Sequence, residues 1–336
     1  SYADRYFLTA SVRKDWAGRL VYENNSGTFP AFTAAWKLSS EKFWEPLKDK
    51  IQLFKIRGSW GRVGNMGSVG WNYSAVNLYR GGDYTKRERG QNGMEGAPVW
   101  GTTVYNGRAF NPLLTWETSE QWGVGLDLAT FNNRLSLSLD YFNKRTFDLI
   151  KIQTLNFPNY IGVDTKPSIN SGEIVNKGIE VTAAWNDKIG RDFHYYLRGN
   201  LAWLHNEVTK TSEQDNEGNW IDWVQGGSFR NLDDVYRTTA GGPFTQFYLI
   251  KTDGIFQTQA EIDAYTKDGN KIQPAAQPGD LKFIDANNDG QISDADRQFC
   301  GSATPKWTYA LSGGFDYKKL AVDFMFQGVG GAQVFY

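Results

Sequence analysis

The residues best suited to chemistry lie late in the chain, in the run Asp285-Ala286-Asn287-Asn288-Asp289-Gly290-Gln291-Ile292-Ser293-Asp294-Ala295-Asp296. Calcium takes roughly six to eight oxygen ligands, and a twelve-residue loop supplies them from positions 1, 3, 5, 7, 9 and 12, with glycine at 6 for the turn. Those positions here are Asp285, Asn287, Asp289, the backbone carbonyl of Gln291, Ser293 (through a water) and Asp296. Ile292 would anchor the loop to apolar neighbours. The spacing predicts a structural calcium site, because carboxylates gathered this closely repel one another without a cation. Aspartate rather than glutamate at the last position reaches less far, which implies a shifted or weaker site. An Asp/Asn-rich surface turn would show the same residue types and stands as the alternative.

No other group of residues forms a catalytic constellation. His194 and His205 have no cysteine or carboxylate at zinc-ligand spacing, and His194 reads as a polar lumen residue. Cys300 follows the acidic loop without a base nearby in sequence. Glu117, Glu120 and Asp140 could pair for glycoside hydrolysis, but they occupy polar strand positions where solvation explains them. The run GSWGRVGNMG lacks the Lys-Ser/Thr ending and the strand-to-helix setting of a phosphate loop. The expectation is a protein that is not an enzyme, with no catalytic and no cofactor-binding residues beyond the metal loop.

The elements that must carry that loop are strands. Trp122, Val124, Leu126 and Leu128 alternate with polar residues and glycine, and Leu135, Leu137, Leu139 and Tyr141 do so after Asn132-Asn133. A period of two is the strand period, and Asn-Asn suits a tight reversal, so this is an antiparallel hairpin with one apolar and one polar face. The same alternation marks strands at about 2–15, 28–38, 51–62, 177–186, 192–206, 306–317 and 319–328, with an extra segment at 71–80. Short links at 39–50, 130–133, 187–191 and 318–319 alternate with long ones at 16–27, 64–118, 148–176 and 207–305. In an up-and-down meander, alternate links lie at opposite ends. All short links then fall on one side and all long loops on the other, as in transmembrane outer-membrane barrels. Trp36, Trp60, Trp122, Trp185, Trp203 and Trp307 lie near strand ends, where they suit interfacial girdles or a soluble core equally.

Composition is compatible with that architecture. The chain has 336 residues, a net charge of −1, one cysteine and 15% aromatic residues. Near-neutral charge gives no field to attract nucleic acid or an anionic membrane. No apolar run is long enough for a transmembrane helix. The mean hydropathy of −0.52 is open to a barrel with a wet lumen and large polar loops. Beginning at Ser1 without a signal peptide, close to a strand, fits a mature fragment of something longer.

Several segments resemble one family, the SusC/RagA-like TonB-linked outer-membrane transporters. They are FLTASVRKD, FPAFTAAWKLSSEKF, LFKIRGSWGRVGN, NPLLTWETSEQWGVGLDLATFNNRLSLSLDYFNKRTFDLI, GEIVNKGIEVTAAW, YLIKTDGIFQ, QPGDLKFIDANNDGQISDADRQFCG and PKWTYALSGGFDYKKLAVDFMFQGVGG, in family order. The resemblance implies an all-β, antiparallel, up-and-down transmembrane barrel of 22 strands, of which residues 1–336 hold about 9–11 from the second half. The N-terminal plug and the TonB-contacting segment lie outside this stretch. It further implies the Gram-negative outer membrane, contact with membrane lipid, and TonB-driven import of an oligosaccharide or a peptide. A SusD-like lipoprotein would act as the lid, and TonB would engage through the absent plug. The calcium loop resembles the dockerin-type variant and would order the long loop at 207–305. Tyr73, Tyr79, Trp100, Trp220 and Trp223 are candidates to stack on sugar rings or on the lid. The competing expectation is a soluble extracellular protein that binds or cleaves glycans and uses calcium as a stabiliser.

Overall fold

The computed structural model describes residues 1–20, 22–67, 107–108, 111, 113–152, 163–165, 168–212, 214–215, 217–225 and 234–335. Nine strands form one antiparallel meander: β1 (Tyr6–Trp16), β2 (Ser26–Lys37), β3 (Ile51–Asn65), β4 (Glu117–Thr130), β5 (Leu135–Phe147), β6 (Glu173–Ile189), β7 (Phe193–Lys210), β8 (Trp307–Tyr317) and β9 (Leu320–Gly330). Each pairs with its sequence neighbours, and β1 and β9 are the two open edges. The expected 71–80 segment, with Tyr73, Tyr79 and Trp100, lies outside the described residues.

The strands outrun the apolar alternation that predicts them. β6 spans Glu173–Ile189 and β7 spans Phe193–Lys210, several residues beyond the expected limits at the loop ends. There the pairing continues through polar residues such as Glu173, Asn176, Glu207 and Lys210. Hydrophobic period reports burial in an apolar phase, whereas backbone pairing does not stop where that phase stops.

Because the register is continuous, alternation on one strand becomes a face across the sheet. Trp36, Ile56, Leu126, Leu139, Val181, Leu201 and Tyr309 are successive partners on β2 to β8. Many residues of this face are exposed, among them Leu8, Val12, Val124, Leu139, Leu201, Tyr309, Phe324 and Phe326. The opposite face carries Thr33, Arg57, Asp140, Glu180, Asn200 and Gln327. An apolar layer so wide is untenable in water, and lipid is the solvent that suits it.

The links sort by length except at the first pair. Short connections lie at 131–134, 190–192 and 318–319 and long ones join β3 to β4, β5 to β6 and β7 to β8, but the 38–50 link, wound into two 3-10 turns, is longer than the 17–25 link from β1 to β2. Phe131, Asn132 and Asn133 adopt positive φ of 54°, 56° and 62°, the left-handed turn that asparagine tolerates. Lys318 reverses the chain in the same way at φ 52°. The long loops are not structureless. Leu20, Leu114 and Ile150, from three of them, form a small buried cluster with Met66 and Trp116. The last loop holds its own four-stranded sheet of Trp223–Gln225, Tyr236–Thr238, Gln246–Ile250 and Arg297–Ser302, plus a one-turn helix at Gln259–Ala264.

The two faces are expected to respond oppositely to charge. In the full-length protein in lipid vesicles, Leu139→Arg on the apolar face should cost about 2–4 kcal/mol in a denaturant titration. Thr182→Arg on the polar face should change stability by no more than about 0.5 kcal/mol.

Candidate functional site: a polar wall and an acidic loop

The polar face of the sheet is organised by one cation. Arg57 on β3 donates from Nε to Asp127 Oδ2 at 3.1 Å and from Nη2 to Asp127 Oδ1 at 3.1 Å. The same Nη2 reaches Asp140 Oδ2 at 2.7 Å and Ser138 Oγ at 2.8 Å. Ser138 Oγ in turn donates to Asp127 Oδ1 at 3.0 Å. The guanidinium therefore ties β3 to β4 and, across it, to β5. Gly125 makes this crossing feasible: a Cβ there would collide with both the Asp140 carboxylate and the Arg57 guanidinium. The planar fork suits two carboxylates at once, which a lysine ammonium does not.

Two grooves open on this face. One of about 740 Å³ is lined by Phe7, Lys55, Arg57, Gln121, Phe142 and Glu180, among others. The next, about 640 Å³, shares Glu180 and adds Thr182, Asn200, Thr308 and Gln327. Hydroxyls, amides, charges and two aromatic rings make a surface that can grip a polar, flexible oligomer by many weak contacts.

The three carboxylates weighed against a hydrolytic pair are engaged separately, at the polar strand positions expected of them. Asp140 belongs to the Arg57 network, Glu120 pairs with Arg62, and Glu117 accepts from Asn65 Nδ2 at 3.0 Å and from the Ile150 N–H at 3.3 Å. His194 pairs in register with Asp316 and Lys188 on the neighbouring strands. His205 meets Glu207 at 3.2 Å. The Cys300 thiol lies against the Leu249 and Gln298 carbonyls.

At 285–296 the loop folds as a tight acidic turn. Asp285 accepts from the N–H of Asp289 at 3.1 Å and of Gly290 at 2.7 Å, and Asp289 accepts from Gln291 at 2.9 Å. Asn287 shares the Asp289 N–H at 2.9 Å and donates to the Asp289 carboxylate at 2.9 Å. Gly290 holds φ +87° at the turn position. Asp296 is fully buried; it accepts from Ala286 at 2.8 Å, Asn287 at 3.3 Å and Ser293 at 2.7 Å. Burial alone would push up the Asp296 carboxyl, but these N–H donors hold it below its ordinary value. Ser293 caps the short turn at Asp294–Asp296 through the Ala295 N–H, and Asp294 points outward to Arg297 at 3.0 Å. Among the described residues, no three His, Cys, Asp or Glu side chains form a group that could hold a metal ion. Asp285, Asn287 and Asp289 do stand side by side, and all donors of the set are oxygens, the chemistry calcium takes.

The bases of the long loops are stitched together by side chains that sequence reasoning misses. Asn170 accepts from the Thr115 N–H at 2.7 Å and donates to the carbonyls of Thr115 and Asp148, both at 3.0 Å. Ser171 Oγ donates to the Ser212 carbonyl at 2.8 Å. Trp223, a candidate for sugar stacking, is only 4% exposed; its indole donates to Ser212 Oγ at 2.8 Å and Lys151 lies over its ring. Its role is packing: Phe244 meets its ring edge-on at 6.4 Å and Gly172 lies against it. Trp220 is half-buried. Asparagine and serine at loop bases are a usable signal, but which backbone they reach is not readable from spacing.

The family model described as "TonB dependent receptor-like, beta-barrel" matches residues 1–336. TonB-dependent receptor P3 of Formosa agariphila is 29% identical over 341 residues, covering 99% of this chain and 31% of that protein. TonB-dependent receptor SusC of Bacteroides thetaiotaomicron is 26% identical over 331 residues, covering 97% and 29%. The chain thus spans less than a third of the length of these relatives. Among solved structures, the RagAB peptide importer in the "open-open" state superimposes with a TM-score of 0.71 at 21% identity, covering 98% of this chain and 31% of that one. That likeness bears on the fold alone.

Two outcomes follow from the site geometry. Gly125→Ala should displace the guanidinium and lower stability by about 1–2 kcal/mol, and Arg57→Lys should not restore the lost coupling in a double-mutant cycle with Asp140→Asn. Asp296→Ala should open the acidic turn by about 2 kcal/mol, read as roughly thirtyfold faster proteolysis within 285–302. The pH sign is fixed by the depressed folded value. Protection is full above the ordinary carboxylate range near pH ~4 and fails only as pH falls below it, through the lower folded titration.

Proposed function

The chain belongs to the TonB dependent receptor-like β-barrel family, and from that membership we propose that it forms one wall and the overlying loops of a TonB-driven importer of a nutrient oligomer. Proteins of this family are receptors of the Gram-negative outer membrane rather than enzymes. The observation that carries the import reading is the two-faced sheet. One face is apolar from β1 to β9, and the other presents the grooves around Arg57 and Glu180. Lipid takes the first face and a water-filled lumen the second. The cargo in this reading is an oligosaccharide or a peptide; RagAB, whose fold the chain shares, is described as a peptide importer. TonB acts through a plug outside these residues.

A SusD-like surface lipoprotein covers the long-loop side in this reading. The supporting feature is the prefolded loop module, whose sheet and buried Phe256 and Ile262 offer a firm platform rather than loose strands. A soluble glycan-binding role is disfavoured by the breadth of exposed apolar surface. In the full-length protein, replacing 234–302 by a short linker should leave a detergent-soluble barrel that migrates in its heat-modifiable form. The lipoprotein should no longer co-purify, and growth on the oligomer should fall to that of a deletion strain. A 38.0 kDa species that stays folded and monodisperse without detergent would defeat the membrane reading.

Calcium belongs to the same proposal as the element that orders the last loop. Asp285, Asn287, Asp289, Asp296, the Gln291 carbonyl and Ser293 would hold it, and its chemistry would be charge neutralisation alone. Support comes from the hard-oxygen donor set and the Gly290 turn. Chelator should raise the proteolysis rate within 285–302, and millimolar calcium but not magnesium should reverse this; Asp285→Asn should abolish the response. Identical cleavage with and without chelator would leave a self-sufficient acidic turn.

A further inference from the structure

Directly above the second groove, the same strands close on a smaller hollow of about 250 Å³. Asn200 on β7, Thr308 on β8 and Gln327 on β9 line the groove. One step toward the long loops come Asn206 on β7, Lys306 just before β8 and Gln333 just past β9, joined by Gln246 and Thr304 of the last loop. Glycines hold the hollow open. A Cβ on Gly242 would strike the Gln246 amide, one on Gly331 the stem of Lys306, and one on Gly301 the side chain of Gln333. Gly301 and Gly331 also hold φ of +94° and +75°, so a larger residue would be strained as well as obstructive. The chain beyond β9 is tied to the loop sheet here, where the Gln333 N–H donates to the Ser302 carbonyl at 2.9 Å.

The polar groups around the hollow divide into those already bonded and those still open. Asn206 accepts from the Phe244 N–H at 2.6 Å and donates to Asn176 at 2.7 Å. Ser302 Oγ donates to the Thr245 carbonyl at 2.9 Å and accepts from the Thr304 N–H at 3.2 Å. His205 is held by Glu207. Gln246 differs: it is only 7% exposed, yet its amide bonds to no group among the described residues. Lys306 likewise meets no carboxylate at ion-pair distance among the described residues, and none of them lines the hollow with one. A desolvated amide without a partner is costly. The hollow has the volume of roughly eight waters, so one bridging water does not fill it.

We infer that this hollow is a subsite for a carboxylate-bearing unit of the cargo, either the C-terminal residue of a peptide or a uronic acid of an oligosaccharide. The Lys306 ammonium takes the carboxylate. The Gln246 amide, which donates and accepts at once, takes the amide or hydroxyl next to it. Thr304 and Gln333 add a hydroxyl and a second amide. With one open cation and no lining carboxylate among the described residues, the hollow favours an anionic unit over a cationic one. Its place above the second groove makes it the upper step of a row of polar contacts along β7 to β9. The subsite rests on the import reading above.

The test measures fluorescence anisotropy with the full-length protein in detergent and two labelled probes. One is an alanine tetrapeptide with a free C-terminus, set against its C-terminal amide; the other is tetragalacturonate, set against its methyl ester. At least one acid should bind about tenfold more tightly than its blocked form. Preference for the peptide acid alone assigns the subsite to a C-terminus, and preference for the uronate alone assigns it to an acidic sugar. Lys306→Met should erase the preference, whereas Gln246→Leu should weaken acid and blocked forms alike and leave their ratio intact. Should Lys306→Met fail to fold, the wild-type preference measured against ionic strength decides, because a charge-borne preference shrinks with salt. Binding of neither acid, equal affinity for acid and blocked forms, or a preference indifferent to Lys306→Met or to salt would overturn the subsite. The import reading fails separately, if cells producing the full-length protein do not take up the probe that the purified protein binds.

Discussion

In hydrocarbon there is no water to satisfy a bare N–H or C=O, and this constraint underlies the whole arrangement. The sheet meets it strand by strand, with each of the nine strands bonded to its sequence neighbours. Once pairing is continuous, the period of two sorts side chains without further instruction. Trp36, Ile56, Leu126, Leu139, Val181, Leu201 and Tyr309 fall outward together, and Arg57, Asp140 and Glu180 fall inward. Among the described strands, the open edges at β1 and β9 leave the constraint unmet, and such edges call for further strands.

The inner wall shows how a polar surface is kept in order without a core. Arg57 spans three strands because Gly125 removes the side chain that would stand in its way. Exposed ion pairs contribute little one at a time, but a forked cation shared by two carboxylates fixes geometry. With Asp127 and Asp140 bound to it, Lys55, Glu180 and Gln121 are left around an open groove. A lumen so built offers polar contacts at defined positions while remaining wet.

Above the membrane, order comes from small buried clusters and side-chain-to-backbone bonds. Leu20, Leu114 and Ile150 pin three loops together, and Asn170 clamps Thr115 to Asp148. The acidic turn adds a third device, with Asp296 withdrawn from water to gather three N–H groups. Loops tied in this manner open as units rather than residue by residue.

The alternation of Trp122 to Leu128 and Leu135 to Tyr141 was enough to establish strands, faces and the Asn132-Asn133 reversal, since these are local consequences of a two-residue repeat. The short links at 131–134, 190–192 and 318–319 implied pairing of sequence neighbours for the same reason, as each link is read from the sequence between them. The Asp285–Asp296 spacing marked the acidic turn, in which Asp285, Asp289 and Asp296 accept from backbone N–H groups within the same twelve positions. What the tertiary structure alone decided is what depends on register between strands. That Arg57 meets Asp127 and Asp140 and that Trp223 is buried under Lys151 both require pairings between residues far apart in the chain. A slip of one residue would send every one of these side chains to the other face, and no local pattern specifies against it.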